Sequence, residues 1–202
     1  MDMKHVFKKG TNDKVLLLLH GTGGTEQDLL PVAEMIDQEA SILSVRGNVS
    51  ENGMPRFFKR LREGVFDEED LIQRTEELNN FLKEASEEYQ FNRDRVIAVG
   101  YSNGANIAGS LLFHYKSSLK GALLFHPMVP RRGIEIPSQT DVPVFIGAGE
   151  NDPICAPEET VELKEILEGA GAEVTTHWER MGHRLTESEV MKGAGWYQER
   201  FS

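Results

Sequence analysis

The stretch Arg95-Val96-Ile97-Ala98-Val99-Gly100-Tyr101-Ser102-Asn103-Gly104 decides the reading of this chain. An apolar run of strand length leads into Gly-x-Ser-x-Gly, and a helical-looking segment follows. A serine forced onto a tight strand-to-helix turn needs neighbours without side chains two residues away on either side. The backbones can then pack, and Oγ stands clear at the end of a sheet. The pentapeptide alone is not specific, so its partners elsewhere in the chain carry the argument.

A serine hydroxyl is a weak nucleophile at neutral pH and needs an imidazole to take its proton. His183 is the candidate. It lies in Met181-Gly182-His183, a loop after the strand-like run Glu173–Trp178, and has a flanking glycine. The other histidines read as structural or surface groups: His5 in the first strand, His20 in a glycine turn, His114 near a helix end, His126 before Pro127 and His177 within a strand. The imidazole in turn needs a carboxylate on its far nitrogen to hold one tautomer. Asp152 follows the run Val142–Gly149 and precedes Pro153, which tightens the turn that presents it. Glu150 and Asp141 are its competitors.

Upstream, His20-Gly21-Thr22-Gly23-Gly24 ends the most apolar stretch of the chain, Val15-Leu16-Leu17-Leu18-Leu19. A glycine-rich turn there can aim a backbone N–H at a developing oxyanion. Asn103, directly after the serine, supplies one such donor, and Thr22 the other, with Gly23 as the alternative. A phosphate cradle is the competing reading of these glycines, but the turn lacks both Gly-x-Gly-x-x-Gly spacing and a Gly-Lys-Ser/Thr ending.

Apolar runs recur near 4–8, 14–19, 41–46, 95–100, 121–126, 142–148 and 173–178, with charged segments of helical period between most of them. This alternation predicts an α/β fold with a mostly parallel sheet covered on both faces, and one domain over residues 1–202. Helices are expected over 26–39, 67–90, 103–115, 157–169 and 186–201. The segment from Gly47 to Asp67 resists assignment. A loop of this length in a compact domain commonly binds something. Met54, Phe57, Phe58 and Phe66, together with Gly23, are the candidates for a substrate pocket over the serine; the same side chains could instead pin the loop to the body.

With 22 basic against 33 acidic side chains, the chain carries a net charge of −11, which opposes binding to nucleic acid or an anionic membrane surface. The single cysteine, Cys155, cannot form an internal disulfide; a buried inert thiol is preferred over an oxidant sensor. The N-terminus has no apolar signal core, and no run reaches about 18 apolar residues, so a cytoplasmic protein without membrane insertion is expected. No His-Glu-x-x-His helix exists and the candidate metal ligands are scattered, so neither metal nor cofactor is expected. A homodimer stays open.

With these motifs in place, the chain resembles the phospholipase/carboxylesterase family, which also contains the acyl-protein thioesterases, over essentially its whole length. Four stretches are most similar to the bacterial hydrolases induced by hydroquinones and catechols: His20–Gly24, Glu51-Asn52-Gly53-Met54-Pro55-Arg56-Phe57-Phe58, Gly100–Asn106 and Gly147–Pro153. The resemblance implies an α/β-hydrolase fold without a separate cap domain, esterase activity on short acyl chains, and a link to resistance against aromatic and quinone compounds. It also implies Ser102, Asp152 and His183 as the triad, with Thr22 and Asn103 at the oxyanion. The thioesterase members carry Gln and Leu where this chain has Asn103 and Thr22, which weakens any transfer of protein deacylation. The dienelactone hydrolases, cousins in fold, use a cysteine nucleophile. The expected activity is that of a serine carboxylesterase on small, fairly apolar esters through an acyl-enzyme. The rivals are a thioesterase or lysophospholipase for longer chains and a non-catalytic small-ligand sensor, although a sensor would be expected to have lost a triad member.

Overall fold

Val15–Leu19 forms strand β2, and all five of its aliphatic side chains are buried. An unbroken apolar run is what a strand covered on both faces requires. Val15, Leu17 and Leu19 join one core cluster, while Leu16 and Leu18 join a second on the opposite face. The same partition runs through the five inner strands of a seven-stranded sheet. In the computed structural model, which describes residues 1–202, its strands are β1 (His5–Lys8), β2, β3 (Ser41–Val45), β8 (Val96–Tyr101), β9 (Gly121–Phe125), β10 (Pro143–Gly149) and β11 (Glu173–Glu179). Their spatial order is β1-β3-β2-β8-β9-β10-β11, with β1 antiparallel to β3 and every other pair parallel.

Helices α2 (Glu68–Tyr89), α3 (Asn103–His114) and α4 (Pro157–Gly169) supply the larger cluster. Helices α1 (Leu30–Ile36) and α5 (Glu187–Phe201) cover the other face. Four helices match their expected limits within two residues. The first is shorter than 26–39, because Pro31 opens it and Asp37 closes it. The Asp37 carboxylate accepts the N–H groups of Glu39 and Ala40, and Tyr197 and Asn12 donate to its other oxygen.

The chain direction reverses between β2 and β8: from β2 it moves outward to β3, then returns to β8 on the other side. Open parallel sheets bind ligands at such a point, beyond the carboxyl ends of the strands. The turn after β2 begins at His20, and the turn after β8 holds Ser102. The segment 47–67 also lies here and is not an irregular loop. It forms two small hairpins, β4 (Val49–Glu51) with β5 (Met54–Arg56), and β6 (Arg60–Arg62) with β7 (Val65–Phe66).

Candidate active site

Ser102 caps α3 with φ 53° and ψ −112°, a conformation that a non-glycine residue avoids. Strain of this kind costs about 1–3 kcal/mol and persists where the surroundings over-determine it. Here the glycines of the turn explain how. A Cβ on Gly104 would lie 1.9 Å from the Leu19 carbonyl oxygen, and one on Gly100 would lie 2.7 Å from the Ala105 nitrogen. Helix α3 therefore rests directly on the β2 and β8 backbones. Ser102 N–H donates to Phe125 O at 2.9 Å, and Asn106 N–H to Ser102 O at 2.9 Å, which closes the turn.

The structure brings Ser102, His183 and Asp152 into one chain of contacts. Ser102 Oγ lies 2.7 Å from His183 Nε2, and His183 Nδ1 lies 2.7 Å from Asp152 Oδ2. The His183 loop is pinned from three sides. Tyr101 Oη–H donates to His183 O at 2.5 Å, Gly182 N–H donates to Asn151 Oδ1, and a Cβ on Gly149 would meet Gly182 O at 2.4 Å. Burial and the Asp152 charge push the Tyr101 phenol up to about 12, so it stays a neutral donor.

Asp152 Oδ1 accepts the N–H groups of Ile154 and Cys155 at 2.8 and 2.9 Å. Burial alone would raise its pKa, but these two bonds and two imidazoles outweigh it and hold the carboxyl below its ordinary range. The second imidazole is His126. Its Nδ1 lies 2.9 Å from the same Oδ2, and its Nε2 lies 2.8 Å from Glu189 Oε1, although that nitrogen is not well aligned for a hydrogen bond. Both partners are fully buried. Burial lowers the His126 pKa, yet the Glu189 and Asp152 carboxylates more than offset it, and the net shift is upward.

The ligand atoms of His126, Asp152 and His183 lie within 4.8 Å of one another, close enough to meet one cation. Both Nδ1 atoms, however, address the same oxygen at hydrogen-bond distance, so protons occupy the directions a cation would need. Cys155 is buried, its Sγ lies 3.3 Å from His126 O, and desolvation pushes its thiol well above the ordinary range, which favours the inert reading.

The N–H of Asn103 is the first of α3 and has no intrahelical acceptor. Thr22 and Gly23 are separated by their hydrogen bonds: Gly23 N–H donates to Pro55 O at 2.9 Å, whereas the Thr22 N–H makes no such bond. The Asn103 side chain faces elsewhere, its Oδ1 accepting the Phe57 N–H at 2.7 Å.

A cavity of about 260 Å³ opens above Ser102, walled by Thr22, Arg56, Phe66, Met128, Ile154 and Cys155 among others. Of the expected pocket residues, Phe66 lines it. Phe57 and Phe58 do not; they are buried in the larger core cluster and tether the hairpins to the body. Met54 is exposed and sits against Gly23, outside the cavity wall. Arg56 was not singled out by sequence, yet it is buried beside Thr22. Its Nη1 donates to Thr22 Oγ1 at 2.5 Å and its Nε to Phe58 O at 3.0 Å, and burial draws its pKa down to about 10. His126 and Glu189 also escaped the sequence reading. Thr186-x-x-Glu189 is a capping box at the start of α5, which marks where Glu189 stands but not what its other oxygen reaches.

A model of the dienelactone hydrolase family matches residues 47–189. The Bacillus subtilis (strain 168) protein named "Putative hydrolase MhqD" is 62% identical over 197 residues, 98% of each chain. Among solved structures, the Bacillus cereus carboxylesterase superposes with a TM-score of 0.98 at 64% identity, covering 99% of this chain and 95% of that one. The structure of YahD with malic acid gives 0.94 at 34% identity over 98% and 99% of the two chains. No helix is long and apolar enough to cross a membrane. On this likeness of sequence and architecture, the chain is a hydrolytic enzyme and belongs to the dienelactone hydrolase family.

Proposed function

We propose that the protein is a serine carboxylesterase that hydrolyses small carboxylic esters through an acyl-enzyme. The observation that carries this reading is the pair of contacts that link the three residues through one imidazole, Ser102 Oγ to His183 Nε2 and His183 Nδ1 to Asp152 Oδ2, both 2.7 Å. Ser102 attacks the ester carbonyl while His183 takes its proton, and Asp152 holds the imidazole in the tautomer with Nδ1 protonated. The Thr22 and Asn103 N–H groups stabilise the oxyanion, a type of contact worth about 3–4 kcal/mol in the transition state. His183 then returns the proton to the leaving alcohol, and water activated by the same imidazole releases the acid.

The cavity of about 260 Å³ is smaller than typical ligand pockets and suits a short acyl group better than a long chain. Its wall is mixed, with Arg56, Arg60 and Glu63 beside Phe66, Met128 and Ile154, so a partly polar ester fits better than a fully apolar one. The test is hydrolysis of p-nitrophenyl esters from acetyl to palmitoyl. Activity should peak at short chains, and Ser102→Ala should lower kcat by about 10⁴–10⁶-fold without loss of fold. Substantial turnover by Ser102→Ala would overturn the reading, and a long-chain optimum would favour a lipid or thioester deacylase.

A further inference from the structure

Asp152 accepts four hydrogen bonds: two backbone N–H groups on Oδ1 and two imidazoles on Oδ2. A carboxylate arranged in this way has no free direction and cannot rotate. The two imidazoles differ in what lies behind them. His183 turns its Nε2 to Ser102 and the cavity, whereas His126 turns its Nε2 to Glu189, in a fully buried position. Glu189 is itself held by the capping box, its Oε2 accepting the Thr186 N–H at 3.0 Å while Oε1 faces His126. The His126 backbone is in the left-handed region, φ 57°, with its N–H on Gly147 O at 2.7 Å and its carbonyl facing Cys155 Sγ. The ring is therefore fixed from both ends.

We propose that His126, backed by Glu189, is a positioning residue that sets the charge felt by the His183 base through their shared Asp152 oxygen. The inference rests on the triad reading above. With a carboxylate oxygen facing each ring nitrogen, His126 is held as an imidazolium. The titratable groups facing it are Asp152 from the turn after β10, Glu189 from α5, His183 from the last loop, Tyr101 from β8 and Cys155 ahead of α4. Tyr101 and Cys155 are both held neutral by desolvation. The cation of His126 thus cancels one of two buried carboxylates, and His183 faces a net single negative charge. Without that cation it would face two, the protonated base would be favoured, and the enzyme would lose activity at a higher pH.

The experiment is the pH dependence of kcat/KM for p-nitrophenyl acetate in the wild type, His126→Asn and the double variant His126→Asn/Glu189→Gln. Asparagine tolerates the left-handed backbone, and its amide can take the place of Nδ1 without the charge. The single variant should move the acid limb upward by about two pH units, the size expected on removing one positive charge from a ring whose centroid lies 5.3 Å from that of His183, at an effective dielectric near 20. The double variant should return it most of the way to the wild-type position, because Glu189 lies behind His126 and farther from His183. A role in packing alone would lower activity without this shift and return. An unmoved limb in the single variant, or a double variant displaced as far as the single, would overturn the proposal.

Should His126→Asn fail to fold, nitrogen NMR of the wild-type imidazoles reads the ring directly. Two protonated nitrogens in the buried ring at pH 7 are expected, and a neutral ring would sink the idea. Failure of the triad reading stays separable: it would appear as turnover surviving in Ser102→Ala, whatever the state of His126.

Discussion

The turn at Gly100–Gly104 and the segment Gly47–Asp67 meet at the same cavity, and they hold their shape by different means. The turn is held by backbone against backbone: there is no room for a Cβ at Gly104 or Gly100, and Ser102 is forced to a positive φ. The segment is held by its side chains. Phe57 and Phe58 sit in the core, Arg56 ties the strand to Thr22 and Phe58, and Asn103 reaches out of the turn to bind the Phe57 N–H. A wall fixed by sterics has one solution, and a substitution there breaks it. A wall anchored by burial distributes its stability over a few inner residues and leaves the hairpin tips free to change.

Gly104→Ala tests the first half of this contrast and should have the largest effect. The new methyl would require α3 to move more than 1 Å from the β2 carbonyls, because backbone cannot yield as a flexible side chain can. The expected result is a loss exceeding about 5 kcal/mol, read as a protein that is insoluble or unfolded by circular dichroism. A soluble variant with wild-type thermal unfolding would show that the helix can slide and that the turn is not sterically determined.

Phe58→Ala tests the second half. The ring is fully buried and packs edge-on to Phe66 at 5.0 Å, so its loss should cost about 3–5 kcal/mol in urea denaturation. Phe66 would lose its support with it, so esterase activity should fall at temperatures where the variant is still folded. A loss below about 1 kcal/mol would mean that the hairpins are held chiefly by Arg56 and Asn103, and the two walls would then be more alike than the burial pattern indicates.

The same contrast explains what could be read from the sequence. The five inner strands of the sheet were legible because burial on both faces leaves apolar runs such as Val15–Leu19 and Val96–Val99. The elbow was legible because its geometry demands glycine at fixed spacing. The hairpins of 47–67 were not, since strands of two or three residues are too short to show a period, and Arg60-Leu61-Arg62 leaves its apolar residue in solvent. One signal was available there: Asn52-Gly53, the dipeptide of a two-residue hairpin turn, flanked by the residues that pair as β4 and β5. His126 left no local trace at all. Its meaning depends on Glu189, which comes from a helix far along the chain.

Gly53→Ala gives the smallest effect and sharpens the comparison most narrowly. Gly53 and Gly104 are both glycines in turns near the active site, but a Cβ on Gly53 would touch nothing within 4 Å, and its only demand is φ +82°. Alanine in a left-handed conformation costs about 1–2 kcal/mol, while its stiffer unfolded chain returns about 0.4–1 kcal/mol. The net loss should be about 1 kcal/mol, with kcat/KM for short esters unchanged, because neither Asn52 nor Gly53 lines the cavity. Asparagine at the same position should recover part of the loss, since it tolerates positive φ. A drop in activity comparable to that of Phe58→Ala would show that the hairpin tip controls the cavity, and that this wall, like the elbow, depends on its backbone conformation.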